Sequence, residues 1–343
     1  MKILIIGAFG FIGANCVKHF SDHGHTVIAF DDLSKKGSAD NLEWLEIGGS
    51  FVSVIGDIRI FSNISKVFAK YGPFDLILHL AGQTAVTTSV SNPRDDFERN
   101  TCGSFNLLEA VRLYNPSAAV IYSSTNKVYG EMADSPIEIN NGRYEYALLG
   151  MKTGITEAQP LNPHSPYGCS KACADQYFLD YARMYCLKTV VFRQSCIYGP
   201  RQLASSDQGW IAWFCIAAAT GRPITIYGDG KQTRDILFIS DLIRAYESAY
   251  KNIDSVQGSA FNIGGGPENT ISVNELLDQI THRENVVFPQ IVKHAPWRPG
   301  DQKVYVSNIS RAEKLLNWKP KISAVDGISQ LFSWVTDNIK LFQ

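Results

Sequence analysis

The chain lacks the features that mark membrane, disulfide-rich and nucleic-acid-binding proteins. Its longest apolar run, Trp210 to Ala219, has about ten residues, and a helix needs about twenty to span a bilayer. The seven cysteines are scattered without a Cys-x-x-Cys pair, which predicts reduced thiols and excludes a disulfide framework. Because 32 Lys and Arg nearly balance 33 Asp and Glu, no diffuse positive field attracts nucleic acid or anionic lipid.

Targeting and metal-binding signals are also missing. We find no signal-peptide pattern, so a cytoplasmic location is expected. We recognise no constellation of the seven histidines with cysteines or carboxylates, so no metal is expected. The composition, with 45% hydrophobic and 19% charged residues, is that of an ordinary globular protein. At about 150 residues per domain, 343 residues predict roughly two domains.

The first half of the chain alternates short β-branched runs with amphipathic stretches, the pattern of βαβ units. The predicted strands are Ile3–Ile6, Thr26–Phe30, Phe51–Ile55, Leu76–Leu80, Ala118–Ser123 and Thr189–Arg193. The predicted helices are Phe11–Asp22, Ile60–Tyr71, Asp95–Tyr114 and Tyr167–Tyr185. Since runs such as Ile3–Ile6 are continuously apolar, we expect an α/β fold with a doubly wound parallel sheet, Rossmann-like, covered by helices on both faces.

The alternation of strand and helix patterns ends after Tyr198–Arg201. The later pattern predicts a helix from about Asp207, strands at Ile224–Tyr227 and Ala260–Ile263, and helices near Ser272 and Val325. We therefore predict a larger domain over residues 1–200 and a smaller mixed α/β domain over 201–343, with the chain free to cross between them. The segment Glu131–Pro166, rich in Pro and Gly, is either a mobile surface excursion or a lid that faces the ligand.

A glycine-rich turn follows the first predicted strand. Gly7, Gly10 and Gly13 permit a tight turn, close approach of a pyrophosphate and close helix packing, while Phe11 and Ile12 open the following helix. Carboxylates and apolar residues then stand at the ends of the next three strands, where open α/β sheets bind ligands: Asp31, Asp32, Asp57, Ile58, Leu80, Ala81 and Gly82. The sequence thus predicts a dinucleotide site.

The charge at the second strand end favours NAD over NADP. A carboxylate at Asp31 or Asp32 would accept hydrogen bonds from the adenosine ribose and would repel a 2′-phosphate. Lys35 and Lys36 act weakly in the opposite direction. We therefore expect NAD as the cofactor.

Two Tyr-x-x-x-Lys pairs occur. Tyr167 and Lys171 lie four residues apart on a predicted helix, so both side chains share one face, and an ammonium there favours the phenolate that a base requires. Tyr227 and Lys231 enclose two glycines, which argues against a helix, so we do not assign chemistry to this pair. Ser123, Ser124 and Thr125, at the end of the fifth strand, could supply the hydroxyl donor beside Tyr167.

These motifs resemble, in order and over essentially the whole chain, the extended short-chain dehydrogenase/reductase family that acts on nucleotide sugars. The matching positions are Gly7/Gly10/Gly13, Asp31, Asp57–Ile58, Thr125, Val128–Gly130, Tyr167/Lys171 and Tyr198–Arg201. The resemblance implies catalysis by Thr125, Tyr167 and Lys171, a nucleotide-diphosphate sugar as substrate, and a homodimer or homotetramer. It adds Asn100, near the nicotinamide side, to the cofactor residues.

The resemblance also implies the substrate contacts. They are Gln83, Thr125, Asn126, Arg201, Arg234 and Arg298, and the arginines suit a diphosphate because a guanidinium binds two oxygens at once. Arg298 begins the segment Arg298–Asp301, which resembles a family motif. Cys196 stands where many relatives carry an asparagine, which removes one expected diphosphate contact.

The residues after Thr125 bear on the reaction. The family's dehydratases carry an acid pair there, because expulsion of water needs a proton donor and a base. This chain has Asn126 and Lys127, and the surrounding sequence is similar to the family's epimerases of CDP-dideoxyhexoses. We therefore expect an NAD-dependent epimerase that inverts carbon 2 of a CDP-hexose. A UDP-hexose 4-epimerase and a catalytically silent NAD-binding regulator are the alternatives.

Overall fold

A computed structural model describes residues 1–281, 292–298 and 301–342. Its large sheet has seven parallel strands, in the order β12-β8-β5-β4-β1-β2-β3. Their bounds are β1 Lys2–Ile6, β2 Thr26–Asp31, β3 Val52–Ile55, β4 Leu76–His79, β5 Ala119–Thr125, β8 Lys188–Gln194 and β12 Ser259–Ile263. All six strands predicted for the first half are present, and the doubly wound α/β fold is confirmed.

The seventh strand corrects one prediction. We placed Ala260–Ile263 among the strands of the smaller domain, but β12 pairs with β8 at the edge of the large sheet, with Phe261 opposite Phe192. The apolar pattern of this segment fits either sheet, and only the tertiary pairing decides between them. The chain therefore returns from the C-terminal part to complete the first sheet.

Helices cover both faces of the sheet. The first ten helices of the chain are α1 Phe11–Asp22, α2 Ser38–Gly48, α3 Phe61–Tyr71, α4 Val86–Ser91, α5 Pro93–Phe97, α6 Gly103–Tyr114, α7 Pro166–Tyr185, α8 Trp210–Thr220, α9 Ile239–Lys251 and α10 Ile253–Val256, of which α8 packs within the C-terminal part. Successive residues of β1 alternate between two hydrophobic clusters, Ile3 and Ile5 on one face and Leu4 and Ile6 on the other. Because the sheet is buried on both sides, its strands need no polar face.

One predicted helix is interrupted. The helix expected over Asp95–Tyr114 consists of α5, a π-helical stretch Glu98–Cys102, and α6. π-turns are rare and often occur at functional sites. This one contains Asn100.

The C-terminal part adds short strands and further helices. The strands are β9 Cys196–Tyr198, β10 Ile224–Tyr227, β11 Thr233–Phe238, β13 Thr270–Ser272, β14 Val292–Ala295 and β15 Val304–Tyr305. The helices are α11 Val273–Thr281, α12 Ser310–Leu316 and α13 Ala324–Asp337. Strand β11 pairs with β9, β13 and β15, while β10 pairs with β14. Among the described residues, no helix is both long and apolar enough to cross a bilayer.

The segment Glu131–Pro166 is ordered and packed against the C-terminal part. It contains a hairpin of β6 Ile137–Asn140 and β7 Arg143–Tyr146. The backbone N–H of Tyr144 donates to Lys231 O at 2.9 Å, and the Tyr146 hydroxyl donates to Val304 O at 3.1 Å. These contacts tie the hairpin to the C-terminal part.

Candidate active site

The glycine-rich turn lies between β1 and α1, at the point where the sheet order changes direction. Gly7 has φ +82°, and a Cβ there would lie 2.5 Å from the backbone N of Ala81. A Cβ at Gly13 would lie 2.1 Å from Gly7 O, whereas one at Gly10 meets only Gly7 O at 3.5 Å. Gly7 and Gly13 are therefore needed by the fold itself. Gly10 leaves open space at the N-terminus of α1, whose first N–H groups have no side-chain cap.

A cleft runs from this turn along the carboxyl ends of the strands and encloses about 1110 Å³, including the solvent at its mouth. All the predicted cofactor residues of the strand ends line it: Gly7, Gly10, Phe11, Ile12, Gly13, Asp31, Asp32, Asp57, Ile58, Leu80, Ala81 and Gly82. Asn100 approaches the same cleft, since a Cβ on Gly82 would lie 2.4 Å from its Oδ1. The structure thus brings together the residues predicted to bind the dinucleotide.

The two aspartates after β2 differ in their surroundings. Asp31 is buried and accepts backbone hydrogen bonds from Phe9 at 2.9 Å and Leu33 at 2.8 Å. Burial raises the pKa of the Asp31 carboxyl, although these two hydrogen bonds act to lower it. Asp32 instead pairs with Arg99 at 2.9 Å, and although burial acts to raise its pKa, hydrogen bonds from Ser34 and Arg99 hold it below the usual range. Asp31 is therefore the better placed of the two to accept a ribose hydroxyl.

The three predicted catalytic side chains converge in the interior. Thr125 ends β5, while Tyr167 and Lys171 are one turn apart on α7, and all three are at most 8% exposed. Burial raises the pKa of Tyr167 to about 12, and a hydrogen bond with Thr125 opposes this. Burial lowers the pKa of Lys171 to about 8. Its ammonium donates to Ser123 O at 2.8 Å.

A buried polar network supports this helix, and the sequence analysis missed it. The Asp96 carboxylate, fully buried on α5, accepts hydrogen bonds from Ser170 Oγ at 2.5 Å and Asn100 Nδ2 at 3.1 Å. Asn100 Oδ1 is buried without a hydrogen-bond partner. An oxygen of this kind, beside Lys171 and the cleft, suits a ligand that donates a hydrogen bond. The only sign in the sequence is the four-residue spacing of Asp96 and Asn100.

The predicted substrate residues do not all lie in one place. Asn126, buried, accepts a hydrogen bond from the Thr125 hydroxyl at 3.3 Å, and the amide of Gln83 bonds to the backbone of Ala85. Arg234 is 8% exposed and pairs with Asp301 at 3.1 Å. Arg298 Nη2 lies 3.3 Å from Asp207 Oδ1, and the guanidinium carbon of Arg298 lies 3.8 Å from the centroid of the Tyr227 ring. Pro299 and Gly300 of the predicted motif lie outside the described residues.

Arg201 lies at the cofactor cleft. It is buried with φ +68°, donates to Asn41 Oδ1 at 2.9 Å and to Asp40 O at 2.8 Å, and lines the cleft. These bonds hold its guanidinium against α2, a helix that was not predicted from the sequence. The contact of Arg201 with the substrate, which the family resemblance implies, stays a prediction.

The second Tyr-x-x-x-Lys pair is not helical, as predicted. Tyr227 ends β10, and Lys231 lies in the loop between β10 and β11. The two side chains therefore do not share a helix face, and this pair lacks the geometry of Tyr167 and Lys171.

One histidine pair escaped the sequence analysis. His19 lies in the last turn of α1 and His23 is the C-cap residue of that helix; their ring centroids are 4.2 Å apart, and His19 bonds to Glu247 at 3.0 Å. Within the described ranges, no group of three or more His, Cys, Asp or Glu side chains is arranged to hold a metal ion. All seven cysteines are free thiols.

Comparison with known proteins completes the description of the site. A model of the NAD dependent epimerase/dehydratase family matches residues 3–264. A CDP-paratose 2-epimerase of Salmonella typhi is 45% identical over 98% of this chain and 99% of its own, and a UDP-glucose 4-epimerase of Mycolicibacterium smegmatis is 33% identical over 96% and 97%. The structure of a Thermus thermophilus UDP-glucose 4-epimerase in complex with NAD superimposes with a TM-score of 0.80 at 28% identity, covering 97% of this chain and 98% of that one.

Proposed function

The chain belongs to the NAD-dependent epimerase/dehydratase family, and we propose that it inverts carbon 2 of a CDP-linked dideoxyhexose, converting CDP-paratose to CDP-tyvelose. The observation that carries this proposal is the buried trio Thr125, Tyr167 and Lys171 with Asn126 and Lys127 beside it. The trio suits oxidation and reduction of a sugar carbon, whereas loss of water also needs an acid and a base near the sugar. The 45% identity to a CDP-paratose 2-epimerase supports the choice of substrate.

The cleft fits NAD. The open space over Gly10, the uncapped start of α1 and the buried carboxylate of Asp31 suit a pyrophosphate and an adenosine ribose, and Asn100 Oδ1 offers an acceptor at the other end. When bound, NAD supplies a hydride acceptor for the oxidation and returns the same hydride in the reduction. We propose that Gly7, Gly10, Gly13 and Asp31 hold it firmly, because release between the two half-reactions would leave an oxidised sugar.

The protein's own groups handle the proton. We propose that Tyr167 Oη, as phenolate, accepts the proton of the sugar hydroxyl and later returns it, while Thr125 donates a hydrogen bond to the reacting oxygen. Since the pKa of Tyr167 is raised to about 12, chiefly by burial, the phenolate needs nearby positive charge. Lys171 supplies part of it from the same face of α7. A positively charged cofactor ring would add to it.

Inversion requires the oxidised sugar to present its other face. We propose that the sugar ring turns about the diphosphate while Arg234 and Arg298 hold the nucleotide. Each guanidinium is now paired with a carboxylate, Asp301 and Asp207 respectively. A diphosphate binds there by exchanging these carboxylates for phosphate oxygens. The ring is thus bound loosely and the nucleotide tightly.

The reaction is tested by product analysis without added cofactor. Incubation with CDP-paratose in deuterated water, followed by NMR, is expected to show inversion at carbon 2 without loss of water and without deuterium on that carbon, because the hydride does not exchange with solvent. Deuterium on carbon 2 would exclude this route. Inversion at carbon 4 of a UDP-hexose, with CDP-paratose unchanged, would instead support the alternative that the M. smegmatis relative represents.

The cofactor is tested separately. Denaturation of the purified protein and mass analysis of the supernatant are expected to release NAD at one equivalent per chain. Stoichiometric NADP would contradict the role of Asp31. An empty protein that binds neither dinucleotide would contradict both the proposed enzyme and the silent NAD-binding regulator.

The homo-oligomer, which the family resemblance implies, stays a prediction, and so does the cytoplasmic location. We also propose a role in lipopolysaccharide O-antigen biosynthesis. Large apolar side chains are exposed on α5, α6 and α7: Phe97, Phe105, Leu113, Tyr114, Tyr177, Met184 and Tyr185. A dimer formed through these helices would cover them. Size-exclusion chromatography with light scattering measures the state directly.

A further inference from the structure

Lys127 lies close to the catalytic trio but has only weak contacts of its own. It is in the 3₁₀ turn Asn126–Tyr129 after β5, and its backbone N–H donates to the Thr125 hydroxyl at 3.2 Å. Its side chain is 20% exposed. The ammonium reaches Gln302 Oε1 at 3.4 Å and Asp301 Oδ1 at 3.9 Å, both long for a charged hydrogen bond.

The nearest carboxylate is shared. Asp301 Oδ1, which Lys127 reaches at 3.9 Å, also accepts the guanidinium of Arg234 at 3.1 Å. The pKa of Lys127 is lowered to about 8, chiefly by burial and also by the charge of Arg234, while Asp301 and Glu131 act to raise it. Two largely buried cations with one carboxylate between them leave an excess of positive charge. A second anion at this position would be stabilised by both cations.

Among the described residues, two further groups act on Lys127, the Glu131 carboxylate and the Cys196 thiol. Glu131 has its own partner, His164, at 3.4 Å. The Cys196 thiol adjoins both cations, but burial raises its pKa, so it stays neutral, and it accepts a hydrogen bond from Trp210 Nε1 at 3.5 Å. Gln302 directs its amide nitrogen to Gly130 O. Lys127 and Arg234 therefore form a cationic pocket beside Thr125, which we call the Lys127 pocket.

We propose that the Lys127 pocket binds the phosphate attached to the sugar, and that Lys127 thereby determines which sugar carbon reaches Thr125 and Tyr167. This rests on the proposed function. Carbon 2 is linked to that phosphate only through carbon 1 and its oxygen, whereas carbon 4 lies across the ring. An enzyme that oxidises carbon 2 must hold the phosphate close to its catalytic hydroxyls. A lysine two residues after Thr125 meets this requirement.

Binding of CDP and CMP to the purified holoenzyme tests the pocket, because only CDP carries a phosphate at the sugar-linked position. We expect Lys127→Met to weaken CDP binding by about 10- to 100-fold, the range for a lost charged hydrogen bond, and to leave CMP binding within about twofold. Lys127→Arg keeps the charge and is expected to keep most of the CDP affinity. Lys18→Met, which removes an exposed lysine paired with Asp22 on α1, is the control.

Three results would overturn the inference: unchanged CDP binding in Lys127→Met, equal losses for CDP and CMP, or a Lys127→Arg variant as weak as Lys127→Met. We also expect kcat/KM for CDP-paratose to fall in Lys127→Met by at least the factor seen for CDP. Failure of the proposed function is distinguishable, because it shows in the wild type as absence of inversion at carbon 2. Wild-type inversion at carbon 2 together with unchanged CDP binding in Lys127→Met would overturn the pocket alone.

Discussion

Alanine substitutions at Gly10 and Gly13 separate the needs of the fold from those of the cofactor. A methyl group at position 13 would lie 2.1 Å from Gly7 O and within 2.8 Å of two backbone atoms of Ala8. Since none of these atoms belongs to a flexible side chain, the turn itself must move, at about 3 kcal/mol or more. A methyl at position 10 meets only Gly7 O, at 3.5 Å, an ordinary contact. Its main cost to the fold is a poorer helix N-cap, about 1 kcal/mol.

Cofactor binding, unlike the fold, is expected to be sensitive to a methyl group at position 10. The methyl at position 10 would occupy the space over the start of α1 where we place the pyrophosphate. An overlap of one methyl costs about 1–3 kcal/mol, or roughly a 5- to 150-fold weaker affinity. Gly10→Ala is thus expected to fold almost normally and to lose bound NAD, whereas Gly13→Ala is expected to lose both stability and NAD.

The assay combines urea denaturation of the cofactor-free protein with mass analysis of dinucleotide retained after purification. Gly48→Ala is the matched control, because a Cβ there meets nothing within 4 Å. Wild-type NAD content in Gly10→Ala would refute the placement of the pyrophosphate. Wild-type stability in Gly13→Ala would refute the packing argument.

Three further predictions follow from the buried groups. Tyr167→Phe is expected to reduce turnover by about 10²–10⁴-fold and Thr125→Ala by about 10²-fold, with folding intact. Tyr227→Phe, which keeps its ring, is expected to reduce turnover far less. Equal losses of turnover at both tyrosines would contradict the assignment of the base. In the holoenzyme, where the positive charges of Lys171 and the cofactor ring would lower the pKa of Tyr167 from about 12, the pH profile of kcat/KM is expected to rise as Tyr167 loses its proton and to fall above about pH 8 as Lys171 loses its charge. A rise continuing to pH 10 would contradict this role of Lys171. Asp175 forms a bidentate ion pair with the buried Arg193, so Asp175→Ala leaves the guanidinium buried without its partner. The free energy of unfolding is therefore expected to fall by about 3–5 kcal/mol. A fall below about 1 kcal/mol would show that the pair is dispensable.

The first sheet was readable from the sequence because its signals are local. Runs such as Ile3–Ile6 are apolar throughout, and the glycines that follow mark where the chain turns. The placement of Tyr167 and Lys171 one turn apart was readable for the same reason, since their spacing puts them on one face of a single helix. These patterns do not depend on knowing what the strand or helix packs against.

The remaining features depend on contacts between distant residues. The pairing of β12 with β8, the buried bond between Asp96 and Ser170, and the position of Arg201 against α2 each join segments far apart in the chain. A short apolar strand fits either sheet, and an aspartate in a helix is usually exposed. Only the folded arrangement distinguishes these possibilities.

Strand β12 is synthesised well after the other strands of the large sheet, and this order affects folding during translation. Until Ser259–Ile263 leaves the ribosome, β8 is the last strand of an unfinished sheet, and its apolar residues Val190, Val191 and Phe192 lie along an open edge. At about 5–20 residues per second, that edge stays open for several seconds of synthesis. The unpaired N–H and C=O groups of an open strand edge can form hydrogen bonds with strands of other chains. A truncated chain ending near residue 200 would retain this edge permanently, so we expect it to aggregate and not to form a separate soluble module.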